Sequence, residues 1–183
     1  MTKEMKMRKF FELTLFFIVY AMIGWAYEVF LETCIYQWGF SNRGVLFGPW
    51  LPVYGFGTLI FILLWYPLIK GKDRTRKAKM LPVIFLLTML TATAIELGTT
   101  YLFEFAGKPW PWQTYADYSI NFQARIALNP SIRFGLGGTA FLYVVQPVLD
   151  KITEKLTEKK IKVIALIILS VLACDMIYTF IIK

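Results

Sequence analysis

Long apolar runs separated by short charged segments are the dominant pattern of this chain. The runs cover residues of about 10–33, 50–69, 80–104, 132–149 and 161–182. Each is long enough, or nearly so, to meet the roughly 20 apolar residues that a transmembrane helix requires. The fourth run is shorter and rich in glycine, although it carries no charge after its first residues. The pattern predicts an all-α integral membrane protein with about five transmembrane helices, built as one transmembrane domain over residues 1–183.

The composition agrees with a membrane protein. Of the 183 residues, 57% are hydrophobic and 17% are charged, whereas an ordinary soluble domain has roughly 25% charged residues. The basic N-terminal tail and the apolar run after it have the outline of a signal peptide. The run is too long for one, however, and it carries Glu28 and Glu32 without a convincing cleavage site. We therefore predict an uncleaved first transmembrane helix.

The basic residues predict the orientation of the helices. Fifteen of the 20 lysines and arginines lie in the N-terminal tail, in residues 70–79 and in residues 151–162. By the positive-inside rule these three segments are cytoplasmic, as is the N-terminus. Five helices then leave two outer loops, of about residues 34–49 and 105–131. The net charge of +8 is thus explained by topology and by attraction to anionic membrane lipids, and it does not indicate nucleic-acid binding.

Two parallel, outward-facing helical hairpins followed by a final helix form the predicted architecture. A shift of 81 positions aligns Pro49 with Pro130 and Gly57 with Gly138, which suggests an internal repeat. Repeats of the same orientation are related by an axis along the membrane normal in some transporters. Chance similarity between apolar, glycine-rich helices is the alternative.

The polar segment 150–162 carries apolar residues at helical intervals. It either continues the fourth helix into the cytoplasm or lies at the membrane interface. Because the other inner segments are short, it is also the place where a cytoplasmic partner has most room to dock.

Ionisable residues lie in or beside the predicted membrane helices, where they are costly unless they are paired, neutral or facing water. Glu28 and Glu32 share one helix face, and Glu96 and Glu104 share another, two turns apart. Their candidate partners are arginines, namely Arg43, Arg125 and Arg133. Two interpretations remain open: ion pairs that hold the hairpins together, or charges that line an outward-open cavity and bind a polar substrate.

The turn Asn42-Arg43-Gly44, followed by Pro49 and Pro52, has the features of a chain that enters a helix. The first turn of a helix tolerates proline, and its free amide groups attract anions. Arg43 beside such a helix start is suited to hold a phosphate or a carboxylate. The turn is therefore a candidate anion site.

The second outer loop is rich in aromatic residues. We assign Trp110 and Tyr115 to the aromatic belt that forms at membrane interfaces. Asp117, Tyr118 and Asn121 are harder to explain in that way, and we expect them near the level of the buried glutamates.

Three further polar or reactive residues lie near the ends of predicted helices. Cys34 and Cys174 are too few for a disulfide framework, and we expect two free thiols. Asp175, inside the last helix, is expected to pair with a residue of the helical bundle rather than to form part of a proton path.

Several common catalytic chemistries are missing. The chain has no histidine, which excludes a Ser-His-Asp arrangement and a His-ligated metal centre. It also has no phosphate-binding glycine-rich motif followed by lysine, so it does not bind ATP through a P-loop. We predict no cofactor and no metal, and we find no catalytic motif.

The stretch Asn42 to Gly57 reads N-R-G-V-L-F-G-P-W-L-P-V-Y-G-F-G. Together with Glu28, Glu96, the run Asp117-Tyr118-Ser119 and Arg125, it resembles the bacterial CmpB family of ABC-transporter type IV membrane proteins. The resemblance extends to about Pro147, although Ala116 stands where that family usually has a tryptophan. It implies a permease-like, multi-pass component of the bacterial plasma membrane, driven, if ATP is used, by a separate cytoplasmic ATPase subunit.

The leading hypothesis is a transport component that binds a small polar or amphiphilic charged substrate in an outward-facing site. The predicted substrate-binding residues are Glu28, Asn42, Arg43, Tyr54, Glu96, Asp117, Tyr118, Asn121 and Arg125. The alternatives are a membrane enzyme that acts on a lipid or isoprenoid head group, and a non-catalytic assembly or sensory subunit. Five helices are few for a self-sufficient transporter, so a homodimer is also open.

Overall fold

The computed structural model describes residues 3–110 and 114–182, which are mostly helical. The helices are α1 (Lys3–Phe30), α2 (Pro52–Leu64), α3 (Arg74–Phe105), α4 (Leu128–Ala140), α5 (Gln146–Lys155) and α6 (Glu158–Ile177). Short π-helical turns extend α1 over Leu31–Ile35, join α4 to α5 over Phe141–Val145 and extend α6 over Tyr178–Ile182. A 3-10 turn, Tyr66–Leu68, follows α2, and β1 (Asn121–Phe122) pairs antiparallel with β2 (Ile126–Ala127).

Four helical segments of the described chain are long and apolar enough to cross a membrane. They are Glu4–Ile35, Arg74–Phe105, Leu128–Lys155 and Glu158–Ile182. The all-α membrane fold is therefore confirmed, and the glycine-rich fourth run is one of these segments. Its helix continues through α5 to Lys155, which confirms that residues 150–155 prolong it, and α6 begins directly after the N-cap Thr157.

The second apolar run forms a shorter helix than the other four. Its apolar helical segment is Pro52–Leu68, which at 1.5 Å per residue is about 25 Å long and slightly less than the roughly 30 Å hydrocarbon core. Pro52 starts the helix because a proline in the first turn lacks only an amide hydrogen that the helix would not use. The predicted total of five membrane helices stays a prediction.

The chain divides into two compact units. The first comprises Met1–Leu59 with Pro147–Lys183, and the second comprises Ile60–Gln146. In the first unit α1 packs against α6, with Phe11, Ile161 and Ala165 as the buried cluster. The segment before α2 is tied back to α1, because the Leu51 amide donates to the Ala21 carbonyl at 3.0 Å.

The second unit is built on close packing of α3 against α4. Gly135 and Gly138 of α4 are buried against the fully buried Thr88 of α3. The Thr88 hydroxyl donates to the Gly135 carbonyl at 3.1 Å, and the Thr93 hydroxyl donates to Ser131 Oγ at 2.8 Å. Small residues at helix contacts allow this approach in membranes, which explains why the apolar run around these glycines is helical.

We expect Gly138→Ala to destabilise the second unit. A Cβ on Gly138 would lie 2.7 Å from Thr88 Cβ and 2.8 Å from Phe61 Cε2, and overpacking of this kind costs about 1–3 kcal/mol. Gly137→Ala is the matched control, because a Cβ there meets nothing within 4 Å, and alanine favours the helix by up to about 1 kcal/mol. Denaturant unfolding of the detergent-solubilised chain measures both. Equal stability of the two variants would contradict the packing described.

Asp73 begins α3 as its N-cap. Its Oδ1 accepts a hydrogen bond from the Arg76 amide at 2.9 Å, and this bond lowers the pKa of the Asp73 carboxyl from its ordinary value. A lowered pKa in the folded state means that the stabilisation is fully present above the ordinary pKa and is lost as the pH falls through the lower one. The N-cap hydrogen bond therefore stabilises the start of α3 at neutral pH.

Candidate functional site

The end of α1 and the loop that follows it carry the first polar cluster, which centres on Glu28, Glu32 and Arg43. Glu28 and Glu32 lie one turn apart, as their spacing predicts, and Glu32 is only 8% exposed. The Ser41 hydroxyl donates to Glu32 Oε2 at 2.7 Å, and Arg43 Nη1 donates to Glu32 Oε1 at 3.4 Å. Both oxygens of the more buried carboxylate are therefore engaged.

Arg43 also bridges to the second glutamate. Its Nη2 lies 3.8 Å from Glu28 Oε2, and the Tyr54 hydroxyl donates to Glu28 Oε1. Tyr54 comes this close because its ring packs on Gly24, where any side chain would collide with it. The structure thus brings Glu28, Arg43 and Tyr54 together, and all four carboxylate oxygens of the two glutamates have partners within the chain.

Asn42 shapes the loop on which Arg43 lies. Its Oδ1 accepts from Trp25 Nε1 at 2.8 Å, and its Nδ2 donates to the carbonyls of Leu46 and Phe47 at 3.3 and 2.8 Å. These three hydrogen bonds use its acceptor and its donor group to close a turn and join it to α1. The side chain holds the loop in place.

Asp175 of α6 binds the same loop from the other side. It accepts hydrogen bonds from the amides of Phe47 and Gly48 at 2.9 and 2.8 Å, from Trp50 Nε1 at 2.9 Å and from the Thr179 hydroxyl at 3.0 Å. The expectation that Asp175 pairs with the bundle is confirmed. The loop does bind an anion, as its turn residues suggested, but the anion is a carboxylate of this chain.

The pairing of Arg43 leads to a stability prediction. Arg43→Gln leaves Glu28 and Glu32 one turn apart without a cation, and we expect a loss of about 1–3 kcal/mol, less than for a fully buried pair because Arg43 is 41% exposed. Glu12→Gln breaks the helical pair of Arg8 and Glu12 and should cost at most about 0.5 kcal/mol. Denaturant unfolding in detergent compares them. A loss for Arg43→Gln no larger than that for Glu12→Gln would show that Arg43 does not stabilise the cluster.

The cysteines lie in the first unit. Cys34 and Cys174 are both exposed, and each is a free thiol. The prediction of two unbridged cysteines is confirmed.

In the second unit, the hairpin β1–β2 positions the other predicted arginine. Gln123 and Ala124 form its turn with positive φ angles of 53° and 56°, and the Arg125 amide donates to the Phe122 carbonyl at 3.0 Å. Asn121 Nδ2 donates to the Tyr118 carbonyl at 2.7 Å, and its Oδ1 accepts from the Ala124 amide at 3.0 Å. Asn121 therefore folds the hairpin.

Tyr115 is a site residue that the sequence did not indicate. It was predicted to lie in an interfacial aromatic belt, but it is 7% exposed and its hydroxyl donates to Glu96 Oε1 at 2.7 Å. Tyr118 packs edge-on against it with ring centroids 5.5 Å apart. The belt assignment was wrong for Tyr115, because the hairpin folds back and its Ala124 carbonyl accepts from the Tyr115 amide at 2.9 Å.

Arg125 pairs with the second glutamate of α3. Its Nη2 donates to Glu104 Oε2 at 2.7 Å. The guanidinium carbon lies 4.5 Å from the centroid of the Tyr101 ring and 5.1 Å from that of Trp110, which is the range of cation–π attraction. Trp110 therefore contacts Arg125, a role that its predicted place in the belt does not include.

Glu96, Glu104, Tyr115, Tyr118 and Arg125 form the second polar cluster. Three of its buried polar atoms make no hydrogen bond within the described structure. They are Glu96 Oε2, Arg125 Nε and Arg125 Nη1. The Arg125 side chain is only 12% exposed, and a buried donor or acceptor left unpaired costs about 1–3 kcal/mol. The second cluster thus differs from the first, in which the carboxylate oxygens are all paired.

Two other charged residues that the sequence singled out, Asp117 and Arg133, are exposed. Asp117 is exposed, and none of the hydrogen bonds or ion pairs of the described residues includes it. Arg133 is exposed on α4, and its predicted pairing with a glutamate stays a prediction. The structure therefore brings Glu96 and Tyr118 to Tyr115, places Arg125 against Glu104, Tyr101 and Trp110, and leaves Asp117 at the surface.

Comparison with known proteins identifies the family. A family model described as "Putative ABC-transporter type IV" matches residues 15–180, a range that includes both polar clusters. The comparisons with curated proteins and with solved structures gave no significant match. With four long apolar helices in the described structure, the molecule is a multi-pass membrane protein. The chain belongs to the ABC-transporter type IV family that the CmpB model describes.

Proposed function

We propose that the chain is a membrane component of a transport system and binds a small, polar, charged substrate at the cluster of Glu96, Tyr115 and Arg125. In this proposal the N-terminus is cytoplasmic, Pro52–Leu68 completes a set of five membrane helices, and the protein resides in the bacterial plasma membrane. The end of α3 that carries Glu96 then faces the outside. Basic residues at the opposite end, such as Lys77 and Lys79, support this orientation.

The three unpaired atoms of Glu96 and Arg125 carry the proposal. Polar atoms buried in a protein normally have a partner, and ionisable groups in membrane segments are retained mainly where they function. Glu96 Oε2 accepts, and Arg125 Nε and Nη1 donate, so this cluster offers both kinds of hydrogen-bonding group to a ligand.

The first cluster has a different role in this proposal. Both oxygens of Glu32 accept hydrogen bonds, Glu28 accepts one from Tyr54 and lies 3.8 Å from Arg43, and Asn42 bonds to the carbonyls of its own loop. A ligand would have to displace these bonds, which favours a structural function. We therefore assign substrate binding to the second unit, with Tyr118 supporting Tyr115, and we assign loop anchoring to Glu28, Asn42, Arg43 and Tyr54.

The energy source is supplied by a partner in this proposal. The chain contains no P-loop, so ATP-driven transport requires a separate ATPase subunit on the cytoplasmic side. We assign the ATPase docking surface to the basic segment that carries Lys151, Lys155 and Lys159. Anionic lipids would compete for the same lysines. Copurification of an ATPase from native membranes supports this part, and ATP-independent transport by the chain alone contradicts it.

Intrinsic fluorescence tests the binding site itself. Trp110 lies against Arg125, so a ligand that enters the cluster should change its emission. The full-length chain in phosphatidylcholine nanodiscs is titrated with inorganic phosphate, with glycine and with ethanolamine, and Trp110→Phe identifies the signal of that residue. We expect a saturable response to at least one probe that is lost in Glu96→Gln or Arg125→Gln. A panel without such a response contradicts the proposed function.

A further inference from the structure

We propose that the substrate class of this site is a zwitterion that carries a primary ammonium group and an oxyanion. This inference rests on the proposed function, because it names what the cluster of Glu96 and Arg125 binds. The unpaired atoms are one acceptor and two donors. A ligand that satisfies all three must therefore both donate and accept hydrogen bonds.

The charges of the cluster favour a zwitterion over a simple ion. Glu96 and Glu104 carry two negative charges and Arg125 carries one positive charge, so the cluster is negative by one unit when all three are ionised. A simple anion would increase that imbalance and leave Glu96 Oε2 unpaired. A simple cation would pair with Glu96 but leave the Arg125 donors unpaired. A ligand with both an ammonium group and an oxyanion pairs both sides and adds less negative charge than the simple anion does, and charge-assisted hydrogen bonds are the stronger kind.

The aromatic contacts favour a primary ammonium over a quaternary one. Proteins bind quaternary ammonium groups on the faces of aromatic rings, and here the guanidinium of Arg125 lies against the rings of Tyr101 and Trp110. What Glu96 offers is an oxygen that accepts a hydrogen bond, and a quaternary ammonium has no N–H to donate. The site should therefore prefer a primary ammonium over its trimethylated analogue.

The positions of the two groups suit a short ligand. Glu96 and Glu104 lie eight residues apart on α3, roughly 12 Å along the helix axis, and Arg125 pairs with Glu104. The Tyr115 hydroxyl donates to Glu96, and the Tyr115 amide donates to the carbonyl of Ala124, the residue before Arg125. Tyr115 thus connects the segment that carries Arg125 to Glu96. Phosphoethanolamine has the required chemistry, either as a free solute or as the head group of a phosphatidylethanolamine lipid.

The experiment measures the ammonium preference with matched probes. The full-length chain in phosphatidylcholine nanodiscs is titrated with phosphoethanolamine and with phosphocholine, which differ only in the methyl groups on nitrogen. We expect phosphoethanolamine to bind at least tenfold more tightly, and we expect Glu96→Gln to abolish the preference, because its amide places a donor where the ligand needs an acceptor. Glu12→Gln, in the other unit, removes a carboxylate as a control and should leave the preference unchanged.

A second arm distinguishes the free solute from the lipid. Native mass spectrometry of the chain released from mixed phosphatidylethanolamine and phosphatidylcholine vesicles shows which lipid is retained. Preferential retention of phosphatidylethanolamine that is lost in Glu96→Gln identifies a head-group site, whereas binding of the soluble probe alone identifies a free zwitterion. Both results support the inference.

Other outcomes overturn the inference and separate it from the proposed function. Equal affinity for the two soluble probes, together with equal retention of the two lipids, overturns the zwitterion. Binding of phosphoethanolamine that depends on Arg125 but not on Glu96 does so as well, and leaves the proposed site intact. If neither soluble probe nor glycine binds, and neither lipid is retained in a way that depends on Glu96 or Arg125, the zwitterion is overturned even if the site responds to inorganic phosphate or to ethanolamine.

Discussion

Replacing Asp175 with alanine should lower the free energy of unfolding by about 2–4 kcal/mol, since a hydrogen bond to a charged group contributes about 1.5–3 kcal/mol. Asp175 accepts from the Phe47 and Gly48 amides and from Trp50 Nε1. The alanine variant leaves these donors unpaired and separates the loop from α6. Denaturant unfolding in detergent gives the stability, and hydrogen exchange at the amides of residues 47 and 48 reports the loop directly.

Two variants separate the contribution of Asp175 from that of its neighbours. Trp50→Phe removes one donor and should cost about 1 kcal/mol, the usual net value of a single hydrogen bond. Asp175→Asn keeps one oxygen acceptor but loses the charge and should be intermediate. If Asp175→Ala is no less stable than Trp50→Phe and the two amides exchange as slowly as before, α6 does not anchor this loop.

Replacing Arg125 with glutamine should weaken ligand binding by at least thirtyfold, because truncating one member of a close charge pair costs about 2–5 kcal/mol. The variant removes the unpaired donors and also the partner of Glu104. Arg125→Lys retains the charge but not the planar set of donors, and we expect it to recover only part of the affinity. Isothermal titration calorimetry with phosphoethanolamine measures the affinities of the wild type and of the two variants.

Folding must be measured beside binding for these variants. Glu104→Gln weakens the same ion pair without touching the unpaired atoms, so it reports how much of the loss comes from misplacing Arg125. We expect Glu104→Gln to reduce affinity less than Arg125→Gln does. Wild-type affinity in a folded Arg125→Gln protein would remove Arg125 from the binding site.

The helices could be predicted from the sequence because the requirement for apolar residues in a membrane is local. The same pattern could not predict that residues 132–149 form part of a long helix while residues 50–69 form a short one. Gly135 and Gly138 are poor helix formers, but contact with Thr88 stabilises α4. Pro52 and Pro67 restrict α2 at its two ends. The prolines act locally, but the contact with Thr88 joins residues that are 47 positions apart in the chain.

The site could be predicted in part for a similar reason. The cost of an unpaired charge in a membrane correctly indicated that Arg43 and Arg125 meet glutamates. Tyr115 was missed because its position depends on a turn at Gln123 and Ala124, which carry positive φ angles that neither residue favours. The same kind of limit applies to Asp175, whose partners in the loop are two backbone amides and the Trp50 indole, 125 residues or more away.

The internal repeat stays a prediction, although the units share a local arrangement. In the first, Tyr54 donates to Glu28, and in the second Tyr115 donates to Glu96. Each unit also pairs a second glutamate with an arginine from the segment that follows. The shared pattern supports a common origin of the two hairpins, and the difference in pairing supports binding in the second one.

An experimental density map of the full-length chain with phosphoethanolamine, in a lipid nanodisc, shows whether Glu96 and Arg125 bind one ligand. We expect non-protein density within hydrogen-bonding distance of both Glu96 Oε2 and Arg125 Nη1, and loss of that density in Glu96→Gln. Ordered water alone on Glu96 Oε2, Arg125 Nε and Arg125 Nη1, at a ligand concentration that saturates binding in solution, would contradict this expectation.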